Sequence, residues 1–285
     1  MPTLTIRHLT TYHYRQPVAF GEHRMMLRPR ESDQQRVIEA RLAITPEPVR
    51  LRHLQDDYGN HVGIAEFSRR ARRLCFESIV CVEHAPRPLV QGTADDAIPE
   101  ACFAEAAGDP SDPVWTWALG LLPADGAIGN WALLTGLSES IHRDFAYRRR
   151  EAMGIQAPAE TLRLGSGTCR DFAVLLIDVA RRFGFAARFA SGYLAVPLHD
   201  SGAEAGEDDE TGHGSTHAWA EIHLPRLGWV AFDPTNGSVG GHNLITVAVT
   251  TSPEEATPLY GTFLGFPSDH IGMDVAVSVV PGLPA

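Results

Sequence analysis

Cysteine is scarce in this chain, with four in 285 residues, irregularly spaced and without a C-x-x-C pair. That excludes a disulfide framework and offers no zinc or dithiol motif, so a reducing compartment is expected. No apolar run approaches the ~20 residues that a membrane-spanning helix needs. The opening segment MPTLTIRHLTTYHYR alternates apolar and polar residues where a secretion signal would be continuously apolar. Positive charge is also short: 24 Lys and Arg stand against 35 Asp and Glu, giving a net charge of −11. Apart from RRR at 148–150, which reads as a solvated helix end, no basic cluster marks a nucleic-acid surface. A glycine fingerprint for nucleotides, a heptad run and an internal repeat are likewise missing. These absences point to a cytoplasmic protein without cofactor, nucleic-acid or membrane partner.

What is present divides by periodicity. From Leu4 to about Glu83, segments such as LTIRHLTTYHY, RVIEARLAI and RLCFESIVCVE alternate with period two and are separated by turn signals such as DDYGN. Residues 1–85 therefore read as an antiparallel β domain. Residues 86–113 are rich in Pro, Ala and acids without a sustained period, and read as a linker. Residues 114–285 read as a mixed core. It has helices at DPVWTWALGLL, NWALLTGLSESIHRDF and APAETLRL and a fourth ending at Gly184, then antiparallel strands running to MDVAVSVV. The fold class is α+β. An acidic, glycine-rich segment, 198–214, interrupts the strands and reads as a solvated loop.

The segment GSGTCRDFAVLL, residues 165–176, carries the chemistry. Gly165, Ser166 and Gly167 break the backbone, and Phe172, Leu175, Leu176 and Val179 then recur with helical spacing. A helix is predicted to start near Thr168, which points unpaired N–H groups and a positive dipole end at Cys169, a setting that favours the nucleophilic thiolate. Cys75, Cys81 and Cys102 lie in segments that suggest small buried apolar residues.

A thiolate nucleophile needs a base, and the base needs an orienter. The strand THAWAEIHL puts His217, Trp219, Glu221 and His223 on one face, and PRLG turns the chain into WVAFD, which puts Trp229, Ala231 and Asp233 on one face. His217 and Asp233 fall within one register step, at cross-strand distance. His223, close to the turn, reads as a surface residue. Trp219 and Trp229 read first as core aromatics, with a wall for an acceptor channel as the alternative. A metal role for His213 and His217 would require a helix, which Gly212 and Gly214 argue against.

With Cys, His and Asp in this order, the chain resembles the transglutaminase-like superfamily of papain-type cysteine enzymes. The resemblance is carried by GSGTCRDFAVLLIDVARRFGFAARFASGYL and HAWAEIHLPRLGWVAFDPTNG. LTIRHLTTYHYRQPV and EHRMMLRPR, near the front, are similar to the β domain that precedes the core in bacterial transglutaminase-like cysteine proteases. The resemblance implies a papain-like core behind an N-terminal β domain. It also implies Cys169 as nucleophile, His217 as general acid/base and Asp233 as orienter. The default oxyanion donor is the Cys169 backbone N–H, with Trp131 and Tyr193 as side-chain candidates and Trp219 as a pocket residue. Arg170 stands where many relatives carry Gln or Lys. The expected substrate is a peptide or carboxamide, attacked to give a thioester that water resolves. Acyl transfer to an amine is the alternative among enzymes, and a non-catalytic peptide-binding or assembly module is the alternative outside them.

Overall fold

The computed structural model describes residues 2–86, 111–123, 129–149, 154–195 and 214–283. Cys102, most of the linker and all but the last residue of the acidic segment 198–214 lie outside the described residues.

The first sheet is built around one long strand, β1 (Thr3–Met25), with β2 (Gln35–Thr45), β3 (Arg50–Gln55), β4 (His61–Glu66) and β5 (Arg70–His84) in the order β2-β5-β1-β4-β3. The β1–β5 ladder breaks between His13 and Val18, where Pro17 has no N–H to donate and a bulge is the tolerated solution. The helices follow as expected from their periodicity: α1 (Pro113–Leu119), α2 (Asn130–Asp144), α3 (Pro158–Leu164) and α4 (Cys169–Arg182). Between them, β6 (Ala146–Tyr147) and β7 (Ser166–Gly167) form a short parallel pair. The second sheet comprises β8 (Ala187–Ala195), β9 (Gly214–Leu224), β10 (Gly228–Asp233), β11 (Ser238–Val239) and β12 (Leu244–Thr250), ordered β11-β10-β9-β8-β12.

The chain does not end in that sheet. The two last strands, β13 (Leu259–Leu264) and β14 (His270–Pro281), both pair antiparallel with β1, Leu4 lying opposite Pro281. The expectation that strands up to MDVAVSVV continue the second sheet is therefore corrected. Period-two alternation identifies a strand but says nothing of its partner, and β1 has a free flank that β14 fills.

One apolar core joins the two sheets. Ile6, Val80, Val277 and Val279 from the first pack in the same cluster as Phe172, Leu175, Leu176 and Val179 of α4 and Ala218, Ala220 and Ile222 of β9. Full burial of each Leu, Ile, Val or Phe side chain contributes roughly 1.5–3 kcal/mol.

Polar side chains complete the join at the edge strand β12. Gln35 donates to the Thr246 carbonyl at 2.6 Å and accepts from the Thr246 N–H at 3.0 Å. Asn60, fully buried, repeats the pattern on Val249, with both bonds at 2.9 Å. Two amide side chains thus occupy the positions a neighbouring strand would fill, which closes an edge that otherwise invites foreign strands. Asn60→Ala leaves the buried Val249 N–H and C=O without partners. A loss of about 2–3 kcal/mol is expected, read as a lower urea midpoint with an unchanged m-value.

Candidate active site

The site begins with backbone punctuation. Gly165 ends α3 in the left-handed region, at φ +57, where glycine carries no steric cost. A Cβ on Gly167 would lie 2.9 Å from the Asp171 Cβ, so the chain can pass this close to the helix only with glycine there. Thr168 caps α4, and the fully buried Asp171 reaches back to accept from the Thr168 N–H at 2.8 Å and its hydroxyl at 2.9 Å. The other Asp171 oxygen accepts from the Gln156 N–H at 2.7 Å. Cys169 is thereby fixed as the first residue of α4, half-buried, and its thiol is within hydrogen-bonding reach of the His217 ring.

His217 Nε2 lies 2.8 Å from Asp233 Oδ2, so Nδ1 is the nitrogen left for the thiol. The hairpin forms as the sequence predicts, but its register pairs Phe232 with Ala220. Asp233 is therefore carried to the level of Trp219, and it meets His217 along the diagonal of the ladder. Asp233 is fully buried and His217 nearly so.

The carboxylate of Asp233 holds more than the His217 ring. Its Oδ1 accepts from the backbone N–H groups of Thr235, at 3.0 Å, and Asn236, at 3.3 Å. Its Oδ2 also accepts from the Asn236 side-chain amide at 2.7 Å, and that amide lies 3.3 Å from His217 Nε2. From α2, His142 donates to the Thr235 carbonyl at 2.9 Å and pins the turn from outside. Sequence reasoning does not reach Asn236, Asp171 or His142. The T-x-x-D spacing of Thr168 and Asp171 carries a capping signal, whereas His142 has no local signal at all.

Charge follows from these contacts. For His217, burial disfavours the imidazolium, but the hydrogen bonds and negative charge of Asp233 and Cys169 more than offset it and hold the ring above its ordinary value. Burial pushes the Asp233 carboxyl up, and the His217 and Asn236 contacts override it and hold it below the usual carboxylate range. The raised imidazole contributes stability that is full below its unfolded value of 6.5 and is lost as pH climbs through the folded value. The depressed carboxyl contributes stability that is present above 3.8 and is lost as pH falls through its folded value. The melting-temperature advantage of the native chain over His217→Ala is therefore expected to peak between 3.8 and 6.5 and to shrink on the alkaline side. Thermal melts across that range check it.

Beside Cys169 and His217 lies a narrow space of about 40 Å³, with Arg170 and Tyr193 among its lining residues and His8 reaching in from the first sheet. The Tyr193 hydroxyl is engaged by His8 Nδ1 at 3.0 Å and lies 3.4 Å from the Leu27 carbonyl. Burial lowers His8 to about 4 and keeps it neutral. Trp131 packs against Phe232, with ring centroids 6.1 Å apart, and is not among the residues lining this space. Trp219 is fully buried, with its ring stacked beside His217 at 6.3 Å. Trp229 departs from a core aromatic: it is 40% exposed and carries the Arg188 guanidinium 4.0 Å from its ring centroid. His223 is exposed, as its place near the turn suggests, and packs edge-on against Trp229. Cys81 is buried and Cys75 is half-buried.

A glycine-led helix bearing a thiol, packed on an antiparallel sheet that brings an imidazole and a buried carboxylate to it, defines a transglutaminase-like cysteine-enzyme core. The chain belongs to the transglutaminase-like superfamily. Residues 134–234 match the family described as the transglutaminase-like superfamily, and residues 4–83 match the bacterial transglutaminase-like N-terminal region. A protein of Mycobacterium tuberculosis is 31% identical over 294 residues, an alignment covering 97% of this chain and 92% of that one. A Mycobacterium leprae protein is 36% identical over 113 residues, covering 40% of this chain and 37% of its own. Among solved structures, one described as "a Putative Cysteine Protease" from Cytophaga hutchinsonii superposes with a TM-score of 0.71 at 15% identity, covering 100% of this chain and 92% of that chain.

Proposed function

We propose that the chain is a cysteine hydrolase that cleaves a peptide or carboxamide bond through a thioester on Cys169. The observation that carries this reading is a single juxtaposition: Cys169 and His217 line one narrow space, and the His217 Nε2 is held at 2.8 Å by buried Asp233. The His217 ring, held charged beside the sulfur, already carries the thiol proton, and Sγ attacks the carbonyl carbon as the thiolate. His217 then returns that proton to the departing amine, leaving the acyl group on sulfur. Water, losing a proton to His217, attacks the thioester, and collapse frees the carboxylic acid and restores the thiol. As the first residue of α4, Cys169 has a backbone N–H without an intrahelical acceptor, which suits the oxyanion. The preference for hydrolysis over amine transfer draws on the description of one structure of the same fold as "a Putative Cysteine Protease". We place this activity in the cytoplasm, a reading that rests on the scarcity and irregular spacing of cysteine in the sequence.

The test is a glutaminyl peptide incubated with a labelled diamine at low millimolar concentration, scored for free acid against amine adduct. Free acid is expected to dominate, since an amine competes with water only where the site holds it beside the acyl carbon. A predominant adduct, abolished by Cys169→Ala, would make the chain a transferase.

A further inference from the structure

The first sheet curls so that β2, at one edge, and β3, at the other, face each other across a groove of about 450 Å³. This volume falls within the range of small-molecule sites. The groove is distinct from the Cys169 space, although consecutive residues separate the two: Met25, the last residue of β1, lines the groove, and Met26, which follows it, lines the thiol side.

The floor and walls are apolar, with Leu42, Leu51, Leu54 and Val62 among them, and Leu51 and Leu54 remain 38% and 42% exposed. The ionisable residues of the lining are Arg28, Arg41, His53 and His61; no Asp or Glu among the described residues lines the groove. In a chain with a net charge of −11, a lining whose charged side chains are Arg28 and Arg41, with no acid among the described residues, is the opposite of the average surface. The lining also disfavours a further positive charge. Burial lowers His61, and the charges of Arg28, Arg30 and His53 lower it further, against Glu31 alone in the other direction. The ion pairs that Arg28 makes with Glu31, at 3.5 Å, and Arg41 with Glu39, at 2.6 Å, are exposed, and such pairs are weak and readily exchanged.

We propose that this groove binds a small amphipathic carboxylate, its apolar chain lying on the leucines and its –COO⁻ meeting the Arg28, Arg41 and histidine rim. An uncharged chain would offer Arg28 and Arg41 no anion to exchange for their exposed Glu31 and Glu39 partners, and an inorganic anion would leave the leucines wet. The site requires nothing of Cys169.

Isothermal titration of the full chain with decanoate, below its micellar range, tests the proposal, with 1-decanol and butyrate as probes lacking the charge or the chain. Decanoate is expected to bind one per chain, at least tenfold tighter than either. Arg28→Glu with Arg41→Glu is expected to weaken it at least tenfold, and Ala40→Trp, which fills the groove, to abolish it. Unchanged iodoacetamide labelling of Cys169 in these variants shows that they are folded. Absence of saturable binding, equal binding of decanol or butyrate, several decanoates per chain, or binding unaffected by either variant would overturn the site.

Discussion

His217→Ala is expected to lower turnover of an acyl substrate such as p-nitrophenyl acetate by roughly 10⁶-fold, the scale of losing one member of a coupled nucleophile–base pair. The fold should survive. With the imidazole gone, Asp233 keeps three donors, the Thr235 and Asn236 backbone N–H groups and the Asn236 amide, so no buried carboxylate is stranded. A second readout needs no substrate. In the native chain the raised imidazole stays charged through neutral pH beside the sulfur, so iodoacetamide should modify Cys169 even near pH 5.5, where an ordinary thiol with a pKa of about 8.5 hardly reacts. That acid-side labelling should vanish in His217→Ala, while buried Cys81 stays unlabelled in both. Acid-side labelling that persists in the variant would detach the imidazole from the reactivity of the thiol.

How much of this is legible in the sequence depends on how local the cause is. The start of α4 is written in adjacent residues: Gly165, Ser166 and Gly167 interrupt the chain, and Phe172, Leu175 and Leu176 set a helical period after them. The hairpin is nearly as local, since PRLG fixes which strand positions of β9 and β10 approach each other. Its exact register, with His217 on the diagonal from Asp233, depends on the length of the turn and is fixed only by the folded ladder. The return of β13 and β14 to β1 is not local at all. VAVSVV fits any half-buried edge, and the choice of β1 depends on a vacant flank more than 250 residues away along the chain, Leu4 facing Pro281. Gln35 and Asn60 are silent for the same reason: an amide at the start of a strand or in a turn looks like any other until β12 presents its free edge.

Asp233 joins the local and the distant causes, and its substitution is expected to separate them. Asp233→Ala removes the acceptor for four donors at once, among them the buried His217 ring and two backbone N–H groups. Stability is expected to fall by about 3–5 kcal/mol, the cost of breaking a buried pair from one side, and loss of activity would then merely follow unfolding. Asp233→Asn is the discriminating variant. An amide oxygen can still accept from the Thr235 and Asn236 N–H groups, so the turn and most of the stability are retained. The amide nitrogen is then directed at His217 Nε2, which must accept, and the ring proton moves to Nδ1, facing the sulfur. A ring protonated there cannot take the thiol proton, and kcat is expected to drop by roughly 10⁴-fold in a folded protein. Melting curves and turnover measured on the same preparations separate the two outcomes. A stable, inactive Asp233→Asn assigns the carboxylate to the proton relay, while a fully active one confines Asp233 to holding the turn.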